Sequence, residues 1–381
     1  MIVQKFLRWI ETANVTERAA AASALARAYL RSEMSFEHRC AAESALTLLL
    51  DDPSPKVRAA LAEALSLSPS APPQVVASLA ADQPEVAALV LVRSPLLSDV
   101  DLIDRAAEGC GKVQRLIAMR CTLSSTVCAV LAEIGEGEAV IELLGNDGAQ
   151  IAAISLARVA ERLGHEAGVR KALLDHPALP AHVRHQLLVK VGEALSASPL
   201  LKGLIGQARA ARLVKDACTK ASIGLIENTP AHETPALVEH LRLKGDLTTG
   251  FIVRAVAHGK IDFFGAILVS LSGQTEKRIS GLLSHGRDNA LRALFRDCGL
   301  AEASHAVILR ALGVWRGVAL GKRVTGVQEV TWLMLQELGA TPGATVPPKA
   351  VNDDLIALLK SIHLDQLRLN ARGHALAIAA A

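Results

Sequence analysis

Apolar residues recur at helical spacing along nearly the whole chain, in short blocks separated by polar and helix-breaking residues. Asn14 with Glu17 reads as a reciprocal capping pair ahead of the run Ala19 to Leu30. The Asn side chain accepts from a free backbone N–H while the Glu reaches back. A second helix is predicted from about Ser35 to Leu50, and Asp51-Asp52-Pro53-Ser54-Pro55 ends it. Ser54 is then an N-cap, with Pro55 at the first helical position, where a missing N–H costs nothing. The punctuation returns downstream. Asp82-Gln83-Pro84 opens a helix carrying Val86, Leu89 and Val90; Ser94-Pro95 breaks it, and Ser98 with Asp99 starts the next. Ser124 and Ser125 precede Val127 to Ile134, Asn146-Asp147-Gly148 leads to Ile151 to Leu163, and Asp175-His176-Pro177 with Pro180 leads to Val183 to Leu195. Each block predicts one short amphipathic helix.

Four of these helices share a register. Arg18 is followed seven residues later by Leu25, Arg39 by Leu46, Arg58 by Leu65 and Arg184 by Val191. Seven residues is about two helical turns, so each apolar residue points roughly the way its Arg does. Helix pairs repeating every 30 to 40 residues are the mark of an α-solenoid, in which no pair buries its apolar face alone and stacking makes one continuous core. The segment Asp52-Pro53-Ser54-Pro55-Lys56-Val57-Arg58-Ala59-Ala60-Leu61-Ala62-Glu63-Ala64-Leu65 resembles a HEAT repeat, and Pro180-Ala181-His182-Val183-Arg184 is similar without the Ala run. The expected fold is therefore all-α, a HEAT-like α-solenoid of stacked antiparallel helix pairs.

The second half changes character around Pro230 and Pro235. Leu241-Arg242-Leu243-Lys244-Gly245-Asp246-Leu247 is followed by Phe251-Ile252-Val253-Arg254-Ala255-Val256 and by Gly259-Lys260-Ile261-Asp262-Phe263-Phe264. Leu271-Ser272-Gly273, Leu291-Arg292-Ala293-Leu294-Phe295 and Cys298-Gly299-Leu300 complete the run. It resembles domain of unknown function family 2336, a set of uncharacterised alphaproteobacterial proteins, over roughly Asp216 to Arg316. The resemblance implies a soluble bacterial helical protein, and implies neither an activity nor catalytic residues. Thr341-Pro342-Gly343-Ala344-Thr345-Val346-Pro347-Pro348 excludes a helix and reads as a linker. The expected organisation is helical repeats over 1–228, a second helical region over 229–340, a Pro-rich linker over 341–350, and a terminal helix with a frayed tail over 351–381. Ile356, Leu359, Ile362 and His363 share one face of that last helix, which either caps the stack or docks on a partner.

Composition agrees with the pattern. Ala and Leu make up about a third of the chain and aromatic residues 3%, which disfavours a β-sandwich or barrel. The mean hydropathy of +0.31 is high, yet the runs Val86 to Val92 and Ile151 to Ala160 fall short of the ~20 apolar residues that a spanning helix needs. No membrane span and no secretory signal are expected. The six cysteines include no CxxC pair and suit reduced thiols in the cytoplasm.

Candidate chemistry is sparse. Gly109-Cys110-Gly111-Lys112-Val113 is a poor phosphate loop, with Ala106 in place of the first Gly and Val113 in place of the hydroxyl residue. His176, His182 and His185 beside Asp175 read as solvated histidines at a helix start rather than a zinc site. Cys121 and Cys128 read as packing thiols, and Glu133, Glu136, Glu138 and Glu142 as a solvated acidic edge. No nucleophile elbow or Cys/His signature is present. No enzymatic activity, metal or cofactor is expected.

Two basic stretches remain. Lys202, Arg209, Arg212, Lys215 and Lys220 surround the single acid Asp216. Arg310, Arg316, Lys322 and Arg323 lie between Glu302 and Glu329 in a window with no acid, and Trp315 sits among them as a candidate stacking or anchoring side chain. The net charge of +3 is ordinary for a soluble protein. The sequence thus points to a cytoplasmic, non-enzymatic scaffold or adaptor. It would bind a protein partner through Arg209, Arg212, Lys215, Arg310, Trp315, Arg316, Lys322 and Arg323. Nucleic-acid binding through the same basic helix faces is the alternative, with the steep salt dependence of phosphate contacts.

Overall fold

The computed structural model describes residues 9–10, 12–339 and 353–380. Among these residues the regular elements are helices, joined by one isolated parallel bridge between Leu123 and Ala149. The all-α expectation holds. The linker expected at 341–350 lies outside the described residues. The chain divides into two compact units, Met1–Val183 and Arg184–Ala381. Position 228/229 falls inside the second unit.

The first unit contains α1 (Val15–Arg31), α2 (Phe36–Leu48), α3 (Pro55–Leu65), α4 (Pro73–Ala80), α5 (Pro84–Arg93), α6 (Asp99–Glu108), α7 (Gly111–Ala118), α8 (Ser125–Ile134), α9 (Gly137–Leu144), α10 (Ala153–Leu163) and α11 (Ala167–Asp175). The local sequence sets their ends. Asn14 and Glu17 form the reciprocal capping box before α1, and Ser98 with Asp101 forms another before α6. Ser124 caps α8, accepting from the Val127 N–H. Ser54 stands at the N-cap of α3 without a side-chain bond, so Pro55 alone marks that start.

These helices pair in alternation. α1 packs on α3, α3 on α5, α5 on α7, α7 on α9 and α9 on α11, while α6 packs on α8 and α8 on α10. The odd-numbered helices and α6, α8 and α10 therefore meet the next but one, whereas α2 packs on α1, and α4 on α3 and α5. One cluster of buried apolar side chains runs from Ala22 through Leu61, Val90 and Ile117 to Leu143. Emptying one such site, as Leu61→Ala would, costs about 2–5 kcal/mol because its neighbours close the cavity only in part.

Polar ties run across the same alternation. Arg18 grips Asp52 through Nε at 2.7 Å and Nη2 at 3.1 Å, and Arg58 grips Asp82 at 2.5 and 3.0 Å. Arg58 also donates to the Asp52 carbonyl, so the two pairs are linked. Burial alone would raise the Asp52 carboxyl; hydrogen bonds from Arg18 and the Ser54 N–H outweigh it and hold the group below the usual carboxylate range. The shared arginine register gives one common role only here. Arg39 instead lies 4.8 Å from the Tyr29 ring centroid. Two other arginines, invisible to that register, close helix ends. Arg120 donates to the Leu91 and Ser94 carbonyls, and Arg162 to those of Ala132 and Gly135. The Arg18–Asp52, Arg58–Asp82, Arg120 and Arg162 ties join residues 24 to 34 apart in sequence.

The second unit holds most of α12 (Ala181–Ala197), then α13 (Pro199–Ile205), α14 (Gln207–Glu227), α15 (Thr234–Lys244), α16 (Thr249–Ala257), α17 (Ile261–Ser272), α18 (Glu276–His285), α19 (Asp288–Asp297), α20 (Glu302–Ala319), α21 (Val327–Glu337) and α22 (Asp353–Ala380). Helix α16 is its centre. It packs against α14, α17, α20, α21 and α22, and every residue from Phe251 to Ala257 is buried. Helix α22 lies on α21 and α16, burying Ile356, Leu359 and Ile362, while His363 bonds to Thr331 and the Gln328 carbonyl. The helix continues to Ala380, through the tail expected to be frayed.

Candidate functional site

The second basic stretch is largely consumed by the fold. Arg316, on α20, donates to three carbonyls at the end of α18: Leu283 at 2.6 Å, Leu282 at 2.9 Å and Gly286 at 3.2 Å. Its guanidinium thus satisfies a helix C-terminus that has no further amides to accept from. Trp315 donates its indole N–H to the Val256 carbonyl at 2.8 Å. Its ring lies over Gly259, which has φ of 75°; a Cβ there would stand 3.1 Å from Cζ2. Trp315 is therefore bound into the unit rather than free to stack on a base. Arg323 pairs with Glu329, which lies just beyond the acid-free window. Arg310 and Lys322 are exposed. The sequence count of charges in that window missed these roles because the partners are backbone carbonyls, which every residue carries.

Other candidates resolve similarly. Of the Gly109–Val113 segment, Gly109 and Cys110 make the turn between α6 and α7, with Cys110 as N-cap, and Gly111–Val113 already belong to α7. Amide hydrogen bonds from Val113 and Lys112 hold the exposed Cys110 thiol below its usual range. Cys128 is buried, and desolvation pushes its thiol up to about 11. Glu133 is held by Arg158 at 2.6 and 2.7 Å, and Glu142 by Arg115 at 3.1 Å, so the acidic edge is a row of exposed ion pairs. His185 is a correction. It is buried rather than solvated, edge-on to His240 at 5.4 Å, and burial lowers its pKa. Among the described residues no three His, Cys, Asp or Glu side chains converge to hold a metal ion.

The first basic stretch keeps its charges outward. Arg209, Arg212 and Lys215 are all exposed on α14. Arg212 and Lys215 line a groove of about 250 Å³ together with Asp216, Thr219, Thr248, Gly250, Phe251, Arg254 and Leu358. Helix α14 supplies the cations, the start of α16 supplies the floor, and α22 supplies Leu358. Arg254 is the residue that sequence reasoning passed over. Its side chain is 5% exposed and its Nη2 donates to Asp216 Oδ1 at 2.9 Å. Its Nε is buried with no hydrogen-bond partner. The signal was present, since Arg254 is the one charge within the apolar run Phe251 to Ala257. Lys220 joins Asp216 at 2.8 Å to Asp365 at 2.7 Å, bracing α22 against α14.

The family described as "Uncharacterised protein conserved in bacteria (DUF2336)" matches residues 86–335. The chain belongs to this family. The match covers most of the alternating helices of the first unit and all of α14 to α20, so the groove-forming part of α14 and α16 lies inside the DUF2336 region while Leu358 lies beyond it. No curated protein and no solved structure matches the chain.

Proposed function

We propose that this DUF2336 protein is a non-enzymatic scaffold or adaptor whose first unit is an α-solenoid of HEAT-like helix pairs. The observation that carries the reading is the alternation itself, with the odd-numbered helices from α1 to α11 and α6, α8 and α10 each packed on the next but one, over a buried cluster that runs from Ala22 to Leu143. Stacked pairs of this kind give a long surface whose area grows with each repeat, which suits an extended partner better than an enclosed reaction. Six free thiols fit a reducing, cytoplasmic setting. The alternative, nucleic-acid binding, loses Trp315, Arg316 and Arg323 to internal contacts and retains Arg209, Arg212 and Lys215.

The test is capture from host extract by the tagged full chain at low and high salt, with protein and nucleic acid both quantified. The scaffold reading expects a stoichiometric protein that survives high salt and that the purified chain rebinds. Capture of nucleic acid alone, released as salt rises, would overturn it in favour of the alternative.

A further inference from the structure

We propose that the groove between α14, α16 and α22 binds a phosphomonoester group. The floor is the first turn of α16. Its opening amides, Thr249 and Gly250, would need carbonyls four residues back, before the helix begins, and so have no partner within the helix. They present the positive end of the helix dipole. Thr248 caps this turn by accepting from the Phe251 N–H at 3.2 Å, which leaves the hydroxyl proton of Thr248 free to donate outward. Gly250 keeps the approach open. A Cβ there would stand 3.5 Å from Leu358 and 3.9 Å from the Thr248 hydroxyl, inside the groove.

The walls supply the charge. Arg212 and Lys215 reach the groove from α14 and Arg254 from α16, against the one carboxylate of Asp216. The lining is therefore two charges positive, which balances a phosphomonoester at about −1.5 to −2 near neutral pH and exceeds what a single carboxylate would neutralise. Arg254 is the decisive residue. A buried guanidinium carrying an unpartnered Nε is rare in a protein interior, where polar groups find partners. Asp216 occupies only one Nη of Arg254 and also holds Lys220, so the arginine is fixed in place with donor capacity to spare. Arginine is suited to phosphate because its planar fork presents several donors at once. Phe251 and Leu358 border the same groove, so the group carrying the phosphate has an apolar wall to rest on.

This inference stands apart from the scaffold reading, because it concerns purified protein and a small ligand. Inorganic phosphate, glycerol phosphate and a short phosphoserine peptide would each be titrated into the full chain by calorimetry, with the unphosphorylated peptide and matched sodium chloride as controls. The expected result is saturable binding of inorganic phosphate at roughly millimolar Kd. Binding should be at least tenfold weaker in R212A/K215A, whose exposed positions leave the fold intact. Gly250→Val, which fills the groove without changing its charge, should weaken binding by a similar factor, and Arg254→Gln should abolish it. Tighter binding of the peptide would assign the phosphate to a modified side chain, and tighter binding of glycerol phosphate to a free metabolite; either supports the site. No heat from any of the three phosphate ligands, or equal affinity in R212A/K215A and Gly250→Val, would overturn it.

Discussion

Arg316 separates two views of the second basic stretch, as a contact surface or as part of the frame. The perturbation is Arg316→Met, which keeps the aliphatic stem and removes the guanidinium. Three hydrogen bonds to the end of α18 are lost, at 2.6, 2.9 and 3.2 Å. Bonds from a charged donor contribute about 1.5–3 kcal/mol each when buried, and a neutral bond about 1 kcal/mol. The freed carbonyls sit at a helix end that water can reach in part, so about 1 kcal/mol each is the appropriate value, or roughly 3 kcal/mol in all. In a unit of roughly 200 residues that lowers Tm by about 6–12 °C. The assay is thermal unfolding followed by circular dichroism, with urea titration to read the second unit separately. Arg310→Met, on the exposed face of the same helix, is the control and should change stability by less than about 0.5 kcal/mol. If R316M melts with the parent and R310M does not, the capping role is wrong and the stretch returns to being a binding surface.

Further outcomes follow from the titrating groups. Cys110 should alkylate at neutral pH in the native protein, whereas buried Cys128, with its thiol near 11, should react only after unfolding; mass spectrometry of peptides from a timed iodoacetamide reaction reads both. Burial lowers the pKa of His176, His185 and His258 from the ordinary value of 6.5. The unfolded chain therefore binds these protons first, so stability should be constant above about pH 7 and fall as pH drops below 6.5, before the carboxylates titrate. Urea midpoints at pH 7.5 and 5.5 check the sign, and equal midpoints would contradict it. His185→Gln should flatten part of that fall.

Much of the helical layout is legible in the sequence because its signals are local. Asn14 with Glu17 and Ser98 with Asp101 close their bonds within one turn, and Pro55 and Pro84 set backbone angles by themselves. The alternation is legible only as a repeat length, since packing of α3 on α5 depends on contacts that no window of the sequence contains. The candidate site divides the same way. Arg212 and Lys215 stand in an evident basic cluster, but Arg254 joins them from 38 residues beyond Asp216. Its lone charge in an apolar helix was the available clue. Charge and ring type alone suggest a surface role for Arg316 and Trp315, yet both reach carbonyls 30 or more residues away, which no local window of sequence contains.

The ties of the first unit also act as a ruler. The ties made by Arg18 to Asp52, Arg58 to Asp82, Arg120 and Arg162 join residues 24 to 34 apart, close to the length of one helix pair. Removing a whole pair from the gene should leave the apolar rows aligned. Removing a single helix would move every later helix into the opposite row, presenting arginines where carbonyls are needed and apolar faces to water. Length can therefore change in this protein by whole steps, and the permitted step is written into the side chains that cross it.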